Sequence, residues 1–112
     1  MVEPGERGAT RIADRVIAKI ASQAAREALR PDGPLGLPQP HAAAVVRERV
    51  ARVRVGVELG YPSDIGAQCG AVRRHVVERV GEMAGMEVPE VAVTVERLHS
   101  PLLERAERGR VR

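Results

Sequence analysis

The side chains that could bind a metal are few and lie far apart along the chain. They are three histidines and one cysteine, namely His41, His75, His99 and Cys69. No two of them have the spacing of a metal-binding pair, and Cys69 has no second thiol. Because a structural zinc site needs a complete set of such ligands, we expect neither a metal ion nor any other cofactor.

The residues that could act in catalysis are equally dispersed. Ser22, Ser63 and Ser100 lie outside any Gly-x-Ser-x-Gly motif, and no base or orienting group accompanies them in the sequence. Glu78 and Glu82 form a carboxylate pair, but their spacing places both on the polar face of a predicted helix. Solvated carboxylates of this kind do little acid–base work. The sequence therefore predicts a protein that is not an enzyme.

Arginine is the one chemically active residue type that clusters. Four arginines, Arg47, Arg49, Arg52 and Arg54, fall between residues 47 and 54 and could contact phosphate. However, the formal net charge is only +3, because acidic residues interleave with the arginines. The aromatic content of 1% leaves no platform for stacked bases. Nucleic acid is therefore less favoured than protein as a partner.

Hydrophobic periodicity predicts two helices that would help to position these residues. Thr10 is a candidate N-cap for the first helix, which should end near Leu29 because Pro31 disfavours helical geometry at the preceding residue. Ser63 or Asp64 can cap the second helix. Apolar stripes at helical spacing define both, with Ile12, Val16, Ile17, Ile20, Ala24 and Ala28 in the first and Ile65, Cys69, Val72, Val76, Val80 and Met83 in the second. Gly85 suits the position just past the second helix, where a positive φ is favoured.

Alternation of apolar and polar residues predicts three strands. Val53, Val55, Val57 and Leu59 alternate with Arg52, Arg54, Gly56 and Glu58, and Val91, Val93 and Val95 alternate with Ala92, Thr94 and Glu96. A shorter strand is predicted at residues 43–47, with a turn at Glu48 and Arg49. Because that turn contains neither Gly nor Asn, a single long bent strand is the alternative.

These elements predict one α+β domain in the 112 residues, in the order helix-strand-strand-helix-strand. Since each helix has one apolar stripe and each strand one apolar face, both helices should pack on one face of a three-stranded sheet. The core should span residues 9–98, with loose termini at 1–8 and 99–112 and a proline-rich loop at 30–40. The other sheet face should present a candidate partner surface made of Arg52, Arg54, Glu58, Thr94 and Glu96.

Cysteine usage and hydropathy bear on the cellular compartment. A single cysteine cannot form an internal disulfide, which favours the reducing cytoplasm. The longest apolar run, residues 42–46, is far shorter than the roughly 20 residues of a membrane span. The N-terminal residues contain no apolar signal core. We therefore expect a cytoplasmic protein that does not insert into a membrane.

Three segments of the chain resemble the alkaline shock protein family, which comprises envelope stress response proteins of the Asp/Gls type. Residues 8–21, GATRIADRVIAKIA, are similar to the opening helix of the family with its Val-Ile-x-x-Ile-Ala core. Residues 53–65, VRVGVELGYPSDI, are similar to the strand that enters the second helix through a turn of Tyr and Gly. Residues 83–95, MAGMEVPEVAVTV, are similar to its helix end and final Val-x-Val-x-Val strand.

Two departures from the family pattern indicate a divergent branch, with an actinobacterial origin as one interpretation. The proline-rich loop replaces a compact junction between helix and strand, and the turn reads Gly60-Tyr61-Pro62 where family members have Tyr followed by Gly. The resemblance implies a non-enzymatic protein of bacterial envelope homeostasis that binds itself and a small membrane-anchored partner at the membrane periphery. The alternative is a KH-like nucleic-acid-binding module with an arginine-rich surface.

Overall fold

The protein folds into two layers, with two helices packed on a three-stranded sheet. The computed structural model describes residues 4–29 and 37–100, and the side chains of the first helix from Ile12 onward. The elements in chain order are α1 (Pro4–Leu29), β1 (His41–Arg47), β2 (Val50–Gly60), α2 (Ile65–Ala84) and β3 (Glu87–His99). The predicted order helix-strand-strand-helix-strand is confirmed.

The sheet has β2 at its centre, in the order β1-β2-β3. β1 and β2 form an antiparallel hairpin in which Val45 lies opposite Arg52 and Ala43 opposite Arg54. β2 and β3 run parallel, so α2 serves as the crossover connection that parallel neighbours require. The pairing of β2 with β3 is irregular between Val50 and Arg52 and again between Val57 and Glu58.

The core lies between the sheet and the helices and is built from small aliphatic side chains. Its buried members are Ile17, Ile20, Ala21, Ala24 and Ala25 from α1, Cys69, Val72, Val76 and Val80 from α2, and Val46, Ala51, Val53, Val55, Val57 and Leu59 from the sheet. The sequence contains no Phe or Trp, and the alanines of α1 bring the helix backbone close to the strands. Both helices therefore lie on one face, as predicted, and Cys69 is a buried free thiol.

The ends of α2 follow their sequence signals. Of the two candidate caps, Asp64 is the N-cap, because its Oδ1 accepts a hydrogen bond from the Ala67 N–H at 2.9 Å. The Ser63 hydroxyl instead donates to the Gly60 carbonyl. Gly85 has a φ of 65° and ends the helix in the left-handed conformation predicted for it.

Two element boundaries differ from the prediction. α1 begins at Pro4, so Thr10 lies inside the helix and residues 4–8 are not a loose leader. Proline is accepted in a first turn because its missing N–H would have no partner within the helix. β3 extends to His99 and is followed by a buried Ser100, so these two residues do not belong to a loose terminus. Residues 30–36 and 101–112, which hold most of the proline-rich loop and the tail, lie outside the described residues.

The connection between β1 and β2 is a two-residue turn at Glu48 and Arg49. The alternative of a single bent strand is therefore wrong. Glu48 has a φ of 57°, a conformation that residues other than glycine enter with difficulty. A Gly or Asn normally marks such a turn. Here a glutamate takes the left-handed position instead, which is why the sequence carried no turn signal.

Burial along α1 predicts a sharp contrast between two isoleucines. Ile17 is 1% exposed and Ile12 is 65% exposed. Replacing Ile17 with alanine should lower the free energy of unfolding by about 2–5 kcal/mol, since it leaves a cavity in the core. The matched control Ile12→Ala should change it by less than about 0.5 kcal/mol. Urea denaturation measures both, and equal losses would contradict this assignment of the core.

Candidate functional site

One face of the sheet carries no helix in the described part of the chain, and we refer to it as the open face. Side chains alternate along a strand, so the residues next to the buried ones point to this face. They are His41, Ala43, Val45 and Arg47 from β1, Arg52, Arg54, Gly56 and Glu58 from β2, and Glu90, Ala92, Thr94 and Glu96 from β3. The open face therefore contains positive, negative and apolar side chains from all three strands.

The structure brings together every residue of the predicted partner surface on this face, namely Arg52, Arg54, Glu58, Thr94 and Glu96. Their environments differ. Glu58 is half-buried, and its Oε1 lies 2.6 Å from Nε2 of His99. Glu96 is exposed, and its Oε1 lies 2.7 Å from Nε2 of His41. Both predicted carboxylates are thus already engaged within the chain.

The pair of His41 and Glu96 bridges the full width of the sheet. The two residues belong to the outer strands, and Gly56 of β2 lies between them opposite His41. A Cβ atom at Gly56 would come within 2.5 Å of His41 Nε2 and 2.7 Å of Glu96 Oε2. The absence of a side chain at Gly56 therefore makes room for the bridge. Since the two side chains are 68% and 41% exposed, the pair adds only about 0.2–1 kcal/mol of stability.

The other end of the open face carries an excess of positive charge. The side chains of Arg47, Arg52 and Arg54 are exposed, and among the described residues no hydrogen bond or ion pair engages any of these side chains. We call these three residues the arginine end. The histidine–glutamate pairs occupy the opposite end, and the carboxylates that lie near the arginine end are Glu48 and Glu90.

A groove crosses the arginine end. Its lining includes Ala43, Val45, Arg47, Glu48, Arg52, Arg54, Glu90 and Ala92. Val45 is 54% exposed and lies opposite Arg52, so an apolar floor is flanked by charged side chains. An apolar centre with a polar rim is the usual composition of a protein contact site.

The two edges of the sheet differ in how they are covered. The backbone N–H of Val46 in β1 donates a hydrogen bond to Oδ1 of Asp14 at 2.8 Å, so α1 supplies an acceptor to one donor of this edge. On the other edge, β3 spans 13 residues. Among the described residues no side chain bonds to its backbone between residues 90 and 95. Only Pro89 and the irregular pairing protect its ends.

The third histidine serves to join the helices. Nε2 of His75 on α2 lies 2.8 Å from Oε1 of Glu27 on α1, and Nε of Arg79 lies 3.6 Å from the same oxygen. Sequence reasoning considered His75 as a possible metal ligand and did not find this partner. Within residues 4–29 and 37–100, no group of His, Cys, Asp and Glu side chains is arranged to hold a metal ion.

Among the described residues, no helix is long and apolar enough to cross a membrane.

Comparisons with known proteins identify a similar fold. No family model matches the chain, and no curated protein matches it. Among solved structures, a variant of the MamM CTD matches with a TM-score of 0.52 at 16% identity, covering 74% of this chain and 95% of that chain. Two further MamM CTD variants match at 17% identity with TM-scores of 0.46, covering 70% of this chain and 93% and 95% of theirs. This likeness concerns the fold alone, and the resemblance to the alkaline shock family stays a prediction.

The contact between Asp14 and β1 predicts a stabilising role for this carboxylate. Replacing Asp14 with alanine should lower the free energy of unfolding by about 1–3 kcal/mol, because the partly buried Val46 N–H loses its acceptor. The variant Asp14→Asn keeps a side-chain oxygen and should lose less. Urea denaturation of both variants measures the difference, and an alanine variant as stable as the wild type would contradict the role.

Proposed function

We propose that this chain is a non-enzymatic protein of bacterial envelope homeostasis, of the alkaline shock type, which acts by binding proteins that include further copies of itself. The observation that carries the proposal is the half of the sheet that no other element covers within residues 4–29 and 37–100. The open face offers an apolar floor and unpaired charges, and it adjoins the exposed edge of β3. Soluble proteins seldom leave such a combination on a sheet without a partner.

The three segments that resemble the alkaline shock family support the proposal by where they fall. Residues 8–21 lie in α1, residues 53–65 contain most of β2 and the start of α2, and residues 83–95 contain the end of α2 and much of β3. Each segment therefore occupies the helix or strand that the resemblance requires. This placement supports the proposal.

The polar contacts favour a binding role over a catalytic one. The hydroxyl groups of Ser22 and Ser63 donate to the backbone carbonyls of Lys19 and Gly60 and are not activated by a base. The thiol of Cys69 is buried. Each histidine bonds to a glutamate that the fold places beside it, and these pairs connect strands or helices.

For self-association we propose the edge of β3. A second copy that added its own β3 would extend the sheet through backbone hydrogen bonds and form a symmetric interface. Stacking of two open faces is less favourable, because Glu58 and Glu96 are already bonded to His99 and His41. The arginines of a second copy would have to displace those histidines before they could pair with these carboxylates.

Light scattering at rising protein concentration tests self-association. The average molar mass should rise above that of the monomer, and Thr94→Lys should hold the protein at monomer mass, since a lysine on an edge strand opposes strand addition. The matched control Thr94→Val keeps the strand geometry and should associate like the wild type. A constant monomer mass of the wild type up to the highest soluble concentration would rule out self-association.

One observation favours nucleic-acid binding as a second candidate function. Arg47, Arg49, Arg52 and Arg54 are all exposed around the β1–β2 turn, and phosphate groups would satisfy them. Such binding would fall steeply with salt concentration. The exposed Tyr61 follows the far end of β2, so no aromatic ring in the described residues lies beside the arginines to stack a base.

We expect only weak direct binding to membranes. Residues 101–112 contain four arginines and two glutamates, a surplus of two positive charges. At about 1 kcal/mol per basic charge near an anionic surface, this surplus contributes about 2 kcal/mol, which is too little to anchor a protein. In sedimentation with phosphatidylserine vesicles at physiological salt, the purified protein should stay in the supernatant, as it should with neutral vesicles. Tight sedimentation with the anionic vesicles alone would contradict a membrane location that depends on a partner.

A further inference from the structure

We infer that the arginine end of the open face binds an extended acidic segment of another protein, with acidic residues at alternate positions so that their side chains share one face. The inference rests on the proposed function, because it takes the open face to be a protein contact surface. It goes further by stating the chemistry of the partner. Three features of the arginine end support it, namely free charge, strand spacing and an apolar floor.

The free charge arises from the way the fold distributes carboxylates. On the open face, Glu96 bonds to His41 and Glu58 bonds to His99, so neither is available to the arginines. Glu90 lies opposite Arg52 in the register of the sheet but forms no ion pair with it. The three guanidinium groups of the arginine end outnumber Glu48 and Glu90, the two carboxylates of the groove. External carboxylates can pair with the remaining positive charge through two parallel hydrogen bonds.

The spacing of the arginines matches an extended peptide. Arg52 and Arg54 are alternate residues of β2 on the same face, so their Cα atoms are about 7 Å apart along the strand. Carboxylates at alternate positions of an extended segment repeat at the same distance of about 7 Å. Two acidic residues of one peptide could thus meet both arginines without distortion of either chain.

The floor of the groove favours a peptide over a nucleic acid. Val45 is 54% exposed between the arginines, with the small side chains of Ala43 and Ala92 in the same groove. The methylene groups of a glutamate side chain that faces the arginines would cover Val45 and stabilise the contact through burial. A nucleic acid would leave that surface without a matching group, because sequence-independent binding of single strands depends on aromatic stacking.

The chain itself does not supply the acidic segment. Residues 101–112 carry more arginines than glutamates, residues 30–36 hold one arginine and one aspartate, and residues 1–3 contain a single glutamate. None of these segments has acidic residues at alternate positions. We therefore assign the complementary charge to another protein.

Fluorescence anisotropy with a labelled peptide tests the inference. The probe is fluorescein-labelled Glu-Val-Glu-Val-Glu-Val-Glu, titrated with the full chain. The wild type should bind it, and the double variant Arg52→Gln/Arg54→Gln should bind about tenfold more weakly, as expected for the loss of two exposed ion pairs. The control Arg73→Gln/Arg74→Gln removes two exposed arginines from α2 and should bind like the wild type. Circular dichroism melting verifies that both variants are folded.

Three outcomes would overturn the inference. They are equal weakening by both double variants, equal binding of a Gln-Val-Gln-Val-Gln-Val-Gln peptide, and tighter binding of a single-stranded RNA heptamer than of the acidic peptide. Light scattering separates this failure from that of the proposed function. If the wild type self-associates but does not bind the acidic peptide, only the inference fails. If it does neither, the proposed function fails with it.

Discussion

The structure depends on the burial of one side of β2. Val53, Val55 and Val57 are at most 2% exposed beneath the two helices. Because side chains alternate along a strand, burying these valines directs Arg52 and Arg54 to the other side. No helix covers that side within the described residues, so the same alternation that builds the core also creates the charged surface that we propose as the binding site.

The open face is further organised by long-range polar pairs. Gly56 gives His41 and Glu96 room to join across the central strand, and Glu58 is held by His99 where β2 and β3 end. These pairs contribute little stability, but they remove two carboxylates from reach of the arginines. At the same time Asp14 accepts a hydrogen bond from the edge of β1, and among the described residues no side chain bonds to the backbone of β3 between residues 90 and 95. The surface that we propose for an acidic partner is therefore distinct from the edge that we propose for self-association.

The parts of this arrangement that depend on local patterns could be predicted from the sequence. The alternation in β2, the Asp64 cap and the left-handed Gly85 each depend on residues close together in the chain, and all three were confirmed. The start of α1 was missed because Thr10 is a good cap, yet Pro4 begins the helix. The pairs His41–Glu96 and His99–Glu58 join residues 55 and 41 positions apart. Such contacts depend on strand order and register, which a single sequence does not specify.

The central claim is that the exposed half of the sheet, comprising the open face and the β3 edge, is the protein contact surface. Two-dimensional ¹H–¹⁵N NMR spectra recorded over a series of protein concentrations test it most directly. The account predicts that amide signals of residues 90–95 and of neighbouring open-face positions shift or broaden as concentration rises, while those of exposed residues on α2 such as Arg73 and Val77 stay unchanged. Changes confined to the outer surfaces of the helices would contradict it.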